Sequence, residues 1–273
     1  MSKSSYPHEK HNHRNDMTPT APNRTRNKRT DQAARSRRPG DRQLTLGVVI
    51  SVTDADTRPT DDALSALASA SRRGIDLDIV LAANSDRANT ANSGDDLNRL
   101  AQTHGARLVV VEGPRSALMT QGAKEVRGDW LLFLHAGTLL DRGWDATIRV
   151  FASEERNRER GAVFTYASLE EGPAGRRAER QTARRIAWFG LSYGDQALVL
   201  HRRFLSRIGG ILPIARAEDL EICRRIGIAR TVMFDVRAFN PPTQGSKSLW
   251  LRGFRNALHI LRLPISLVAR IPT

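Results

Sequence analysis

From residue 44 onward, short apolar segments alternate with amphipathic ones, and this alternation restricts the fold more than any other feature. Apolar segments that are hydrophobic on both faces are typical of buried parallel strands. Repeated βα units predict an α/β fold, with a mostly parallel sheet and helices on both faces. The predicted strands are 44–52, 78–83, 107–111, 130–134, 162–166, 197–200 and 231–236, and the predicted helices are 60–74, 95–104, 117–126, 202–208 and 217–226.

The predicted sheet also indicates where a ligand would bind. In open parallel sheets, ligands lie beyond the carboxyl ends of the strands. The residues that follow Val52, Ala83, Val111 and Leu134 are therefore the first candidates for a functional site.

Charge is unevenly distributed along the 273 residues, whose net charge is +14. Residues 1–42 contain 11 Lys and Arg against 4 Asp and Glu, and they have almost no apolar side chains. Such a segment cannot bury a core, so we expect a disordered basic tail, either simply solvated or in contact with an anionic surface. The predicted organisation is this tail, a domain over 43–245 and a basic amphipathic helix over 246–273.

Several classes of protein are excluded or disfavoured by composition. The single Cys223 excludes an internal disulfide framework. No segment approaches the roughly 18–20 apolar residues of a spanning helix, and the N-terminus lacks the apolar region of a secretory signal. We therefore expect a cytoplasmic protein, soluble or peripheral. The sequence has no helix-turn-helix, zinc or aromatic RNA-binding signature, which argues against nucleic-acid binding despite the charge.

Two stretches carry a recognisable order of motifs. The first is Gly128–Thr138, which reads GDWLLFLHAGT, and the second runs from Tyr193-Gly194-Asp195-Gln196 through Gly209-Gly210 to Glu218-Asp219-Leu220-Glu221. Together they resemble family 2 glycosyltransferases of the GT-A fold, a Rossmann-like architecture. The likeness is greatest to the subgroup associated with radical-SAM and selenodomain proteins, and it covers about residues 44–240.

The resemblance implies an inverting reaction that transfers a sugar from a nucleotide-sugar donor to an acceptor hydroxyl. In such enzymes a divalent cation, Mg²⁺ or Mn²⁺, offsets the charge of the leaving diphosphate, and a carboxylate removes the acceptor proton. By resemblance Asp219 is this general base, Glu218 orients it or raises its basicity, and Asp195 and Gln196 lie near the acceptor. Alternatively, Glu218 and Asp219 are simply acids of a first helical turn, and Gly194-Asp195 is an ordinary turn.

The donor side departs from the family pattern at two positions. The metal-binding aspartate of the family is replaced by Gly137, so the cation is in doubt, and its nucleotide-binding aspartate is replaced by Ala83. Asp54, Asp56 and Asp86 are the carboxylates that could contact the nucleotide instead, although a solvated loop explains Asp54 and Asp56 equally well.

Basic side chains could replace the missing cation. Arg115 and Lys124 flank the matching region, and Arg184 and Arg185 lie in the Arg-rich segment 170–185. Lys124 is equally explained as a solvated helix residue. If no group replaces the ion, the chain is a catalytically degenerate GT-A scaffold that binds a nucleotide, a sugar or a protein partner.

The C-terminal segment 248–263 has the pattern of a basic amphipathic helix. Trp250, Leu251, Phe254, Leu258 and Leu261 fall on one face, and Arg252, Arg255, His259 and Arg262 fall on the other. A helix of this kind either packs on its own domain or lies on an anionic membrane surface. The second interpretation places the protein at the inner face of a membrane, with a lipid or envelope precursor as acceptor.

Overall fold

The structure is a computed structural model that describes residues 44–53, 57–71, 74–88, 93–189 and 196–241. All of them belong to the unit that spans Gln43–Thr273. The predicted basic tail and the predicted C-terminal helix, with Arg252, Arg255 and Arg262, lie outside the described residues.

Strands and helices follow each other in nearly the predicted order. The strands are β1 Leu44–Val52, β2 Ile75–Asn84, β3 Arg107–Val111, β4 Trp130–His135, β5 Leu139–Leu140, β6 Gly161–Ser168, β7 Leu198–His201 and β8 Thr231–Asn240. The helices are α1 Arg58–Ser71, α2 Ser85–Ala88, α3 Ser93–Thr103, α4 Arg115–Glu125, α5 Trp144–Ser153, α6 Pro173–Phe189, α7 Arg202–Arg207 and α8 Glu218–Ile226, with 3₁₀ helices at Glu155–Glu159 and Ile228–Arg230.

The described strands form a single eight-stranded sheet in the order β3-β2-β1-β4-β7-β6-β8-β5. Strands β1 to β4 are mutually parallel, β6 pairs with β8 in parallel, and β7 and β5 run antiparallel to their neighbours. Because β7 is antiparallel to both β4 and β6, the carboxyl ends of β1 to β4, β6 and β8 all lie at one edge, called here the carboxyl edge. The predicted α/β class with a mostly parallel sheet is confirmed.

Hydrophobic side chains alternate between the two faces of the sheet. On one face Leu46, Val48 and Ile50 of β1 pack with apolar residues of α1, α3 and α5. On the other face Val49 packs with apolar residues of α4, α7 and α8, among them Leu118. The period of two along a strand produces this division, and it places α4 and α8 on the same face.

Helix α4 packs against strand β1 at Gly122, which has no side chain. A Cβ at this position would meet Val49 Cγ1 of β1 at 2.4 Å, well inside ordinary contact. At the C-terminal end of the same helix, Arg202 of α7 donates to the carbonyl oxygens of Ala123, Val126 and Gly128. These contacts fix the position of α4 on the sheet.

An ion cluster stabilises the opposite edge, where the parallel strands begin. Asp78 of β2 accepts from the backbone N–H of Arg127 at 2.5 Å and from Arg107 Nη2 at 2.9 and 3.0 Å. Burial raises the pKa of Asp78, but the Arg127 amide and the Arg107 charge outweigh it, so this pKa lies below its usual value. The cluster holds the Asp78 carboxylate in its charged form.

Candidate functional site

The two carboxylates singled out in the sequence meet an arginine at the carboxyl edge of the sheet. Arg115 Nη1 donates to Glu218 Oε1 and to Asp219 Oδ2, each at 2.6 Å. The side chains of Arg115, Glu218 and Asp219 are 11%, 8% and 17% exposed. The predicted base is thus partly open to solvent, and it is joined to Glu218 through the guanidinium.

The fold explains why residues more than a hundred positions apart come together. Helix α4 follows β3 and begins at its carboxyl end, so its first residue, Arg115, lies at the carboxyl edge. Helix α8 packs on the same face of the sheet and begins with Glu218 and Asp219. Ser116 Oγ donates to the Ile214 carbonyl oxygen at 2.7 Å and so ties the segment before α8 to the start of α4.

The loop before Arg115 is fixed by the end of β2. Asn84 Nδ2 donates to the Gly113 carbonyl oxygen at 2.7 Å, and Asn84 Oδ1 accepts from the backbone N–H of Asp86 at 2.9 Å. Asn84 therefore links the end of β2, where the resemblance implies a nucleotide-binding aspartate, to the loop that carries Arg115. Ala83 is fully buried, whereas Asp86, two residues beyond the end of the strand, is exposed.

The charge of Arg115 is strongly favoured in this setting. Burial lowers the pKa of Arg115, but the negative charges of Asp219 and Glu218 more than offset it, so the pKa rises above its usual value. Arg115 Nε is buried, and it has no hydrogen-bond partner among the described residues. Leaving a buried N–H without a partner destabilises the folded protein, so such groups are rare in native structures.

Backbone strain marks the two motifs of the second half. In the described part of the chain, the non-glycine residues with positive φ are Ala197, at 52°, and Ala217, at 64°. Ala197 follows Gln196, and Ala217 precedes Glu218. Residues held in this region are uncommon and cluster at functional sites.

The turn after β4 leaves little room for a side chain at Gly137, where the resemblance implies a metal-binding aspartate. Gly137 has a φ of +89°, and a Cβ there would lie 2.9 Å from Pro59 Cβ of α1. The turn is held by hydrogen bonds from Thr138 N to the His135 carbonyl and from Thr138 Oγ1 to Asn240 Oδ1, at 3.0 and 2.7 Å. An aspartate cannot be placed here unless the turn or α1 moves.

The other predicted site residues have different surroundings. Gln196 is fully buried, and its Nε2 donates to the Phe164 carbonyl oxygen at 3.1 Å, so it braces β6. Lys124 is exposed near the far end of α4, about 13 Å along the helix axis from Arg115 at 1.5 Å per residue. Asp54, Asp56 and Asp195 lie outside the described residues.

A cavity of about 540 Å³ lies at the opposite edge of the sheet, away from these carboxylates. Its lining includes four arginines, three acids and His201, at the end of β7. Burial lowers the pKa of His201, and its Nδ1 accepts from the backbone N–H of Arg203 at 3.1 Å. The histidine therefore caps α7, and the mixed charges of the lining do not select a ligand.

Comparison with solved structures identifies the fold as that of the GT-A glycosyltransferases. A mannosyltransferase from Pyrobaculum calidifontis, solved with GDP-Man and Mn²⁺, is similar over 81% of this chain and 65% of its own, at a TM-score of 0.56 and 18% identity. S. aureus TarS 1-349 with UDP-GlcNAc is similar over 80% of this chain and 65% of its own, at 0.56 and 12%. GalNAc-T7 with UDP, GalNAc and Mn²⁺ covers 82% of this chain and 49% of its own, at 0.55 and 12%.

The sequence comparisons add nothing to this fold assignment. No protein-family model matches the chain, and no curated protein sequence matches it. The chain spans less than two thirds of the length of the structures named above. In the ranges that the structure describes, no helix is both long and apolar enough to span a membrane.

Proposed function

We propose that the chain is an inverting glycosyltransferase that moves a sugar from a nucleotide-sugar donor to an acceptor hydroxyl. The observation that carries this proposal is the position of Asp219. Its carboxylate is partly exposed at the carboxyl edge of a GT-A sheet, where ligands of such sheets bind, and Arg115 fixes its orientation.

The proposed reaction is a single displacement. Asp219 removes the proton from the acceptor hydroxyl, the oxygen forms a bond to the anomeric carbon, and the bond from that carbon to the diphosphate breaks. Oδ2 of Asp219 is engaged by Arg115, and Oδ1 makes no hydrogen bond within the described part of the chain, so Oδ1 is the atom that accepts the proton. Glu218 accepts the second hydrogen bond from the same nitrogen, Arg115 Nη1.

The other residues proposed to contact the donor or the acceptor are assigned from their positions in the fold. Asp86 and Arg115 lie at the carboxyl edge and are proposed on the donor side, with Asp54 and Asp56 of the segment after β1. Lys124 is exposed far along α4, so the donor site does not depend on it. Asp195 and Gln196 are proposed near the acceptor, and because the Gln196 side chain is bonded to β6, it would act by supporting the neighbouring loop.

The proposal also covers the enzyme family and the cellular location of the protein. We propose a family 2 enzyme of the radical-SAM and selenodomain-associated kind, cytoplasmic and held at the inner face of a membrane through Arg252, Arg255 and Arg262. The acceptor would then be a lipid or an envelope precursor. Binding of the full chain to vesicles of anionic and of neutral lipids tests this, and equal affinity for both would contradict it.

The proposed reaction is tested by the release of nucleoside diphosphate from a panel of nucleotide sugars that includes UDP-GlcNAc and GDP-mannose. We expect Asp219→Asn to lower release at least about 100-fold, as is typical when a general base is lost. Asp96→Asn, which changes an exposed carboxylate of α3, is the matched control and should keep wild-type release. Equal release by wild type and Asp219→Asn would show that the base is assigned wrongly.

A second function is favoured by the geometry of Gly137. If the site holds a nucleotide but does not cleave the donor, the protein is a GT-A binding scaffold. Calorimetry would then show nucleoside diphosphate binding by wild type, while no nucleotide sugar in the panel is consumed.

A further inference from the structure

The described residues do not fit the divalent cation that two of the neighbouring structures contain. Gly137 occupies the position expected for the metal-binding aspartate, and its φ and its contact with Pro59 disfavour any side chain. Glu218 and Asp219 already share a guanidinium. Within the described ranges, no group of three or more His, Cys, Asp or Glu is placed to hold a metal ion.

Arg115 is a cation that the chain itself places at this edge, next to the two carboxylates. Its Nη1 makes both carboxylate bonds, its Nε is buried without a partner, and its Nη2 makes no hydrogen bond within the described part of the chain. Nε–H and Nη2–H lie along the same edge of the planar guanidinium, and their N–H bonds point in the same direction. Two parallel N–H donors match two oxygens of a phosphate, and for this reason arginine binds phosphate bidentately.

We propose that Arg115 takes the place of the divalent cation and binds the diphosphate of the nucleotide through its Nε–Nη2 side, while Nη1 holds Glu218 and Asp219. This inference rests on the proposed donor class and specifies how the donor is held. Arg115 is then both a ligand-binding residue and the residue that positions the base.

The charges of the three side chains indicate how such a site could work. With both carboxylates ionised, the cluster carries a net charge of −1, which opposes tight binding of the diphosphate before reaction. When Asp219 accepts the acceptor proton, its charge is neutralised and the cluster becomes neutral overall. The attraction of Arg115 for the leaving diphosphate therefore increases at the moment when that group gains charge.

The test is calorimetric binding of UDP and of GDP to the full chain, once in EDTA and once in Mn²⁺. We expect wild type to bind at least one of them with dissociation constants that agree within about twofold between the two conditions. Arg115→Gln should weaken binding at least tenfold. Arg115→Lys should also weaken it, because one ammonium cannot hold two carboxylates and a bidentate phosphate together. Arg203→Gln, an exposed arginine at the opposite edge, should bind like wild type.

Several results would overturn the inference. These are a tenfold gain in wild-type affinity on adding Mn²⁺, no binding of either nucleotide by wild type, or wild-type affinity in Arg115→Gln. The metal comparison uses the unaltered protein, so it decides the question even if Arg115→Gln fails to fold. If metal-free binding is seen but nucleotide sugars are not cleaved, the proposed transfer fails and this inference stands. If cleavage requires Mn²⁺, the transfer stands and this inference fails.

Discussion

Replacing Gly137 by alanine tests whether the turn after β4 can accept a side chain at all. Gly137 and Gly143 have nearly the same φ, +89° and +87°, so alanine at either position carries a similar backbone strain, of about 1 kcal/mol. The two sites differ in space. A Cβ at Gly137 would lie 2.9 Å from Pro59 Cβ, whereas a Cβ at Gly143 meets nothing within 4 Å.

The structure therefore predicts unequal losses of stability. Overpacking of this kind costs about 1–3 kcal/mol in addition to the strain, so Gly137→Ala should lower the free energy of unfolding by about 2–4 kcal/mol. Gly143→Ala should lower it by about 1 kcal/mol. Urea unfolding followed by circular dichroism measures both, and a difference of about 2 kcal/mol moves the midpoint by roughly 1 M if the m-value is about 2 kcal/mol/M.

Equal losses in the two variants would refute the reasoning, because they would show that Pro59 moves aside without cost. Gly137→Asp then extends the test to the metal. If the protein binds the ion, a free ion concentration of a hundred times the dissociation constant would raise the free energy of unfolding by about 2.7 kcal/mol. We expect Mn²⁺ to leave the midpoint of Gly137→Asp unchanged. A clear upward shift, absent from wild type, would show that one carboxylate restores a cation site.

Two further predictions concern stability outside the site. Because the pKa of Asp78 is lower in the folded protein than in the unfolded chain, its contribution is present above about pH 4 and is lost as the pH falls further. Asp78→Asn should therefore destabilise the protein by about 2 kcal/mol at pH 7 and by less at pH 3, and a loss independent of pH would contradict this. Arg202→Met should cost about 2–4 kcal/mol, since three carbonyl oxygens lose their donor. Arg203→Met, on the exposed side of the same helix, should change stability by less than about 0.5 kcal/mol in thermal unfolding.

The fold was predictable because its signals are local. The apolar strand segments and the helices between them follow from periods of two and 3.6 residues, which the chain shows without reference to distant residues. The observed elements differ from the predicted ones where the local sequence signals are short or polar. The two-residue strand β5 lies outside the predicted strands, and helix α5 begins at Trp144. Most of the polar segment 170–185 lies in helix α6.

The sequence alone determined the order of strands and helices, the candidate carboxylates Glu218 and Asp219, and the presence of glycine at position 137, where the resemblance implies an aspartate. Only the tertiary structure decided that Arg115 bonds both carboxylates, because 103 and 104 positions separate these residues and no local pattern connects them. It also decided that Pro59 closes the space at Gly137. Such contacts arise when helices from distant parts of the chain pack at one edge of a sheet, and a hydrophobic period fixes the face of a helix but not the side chain that it meets.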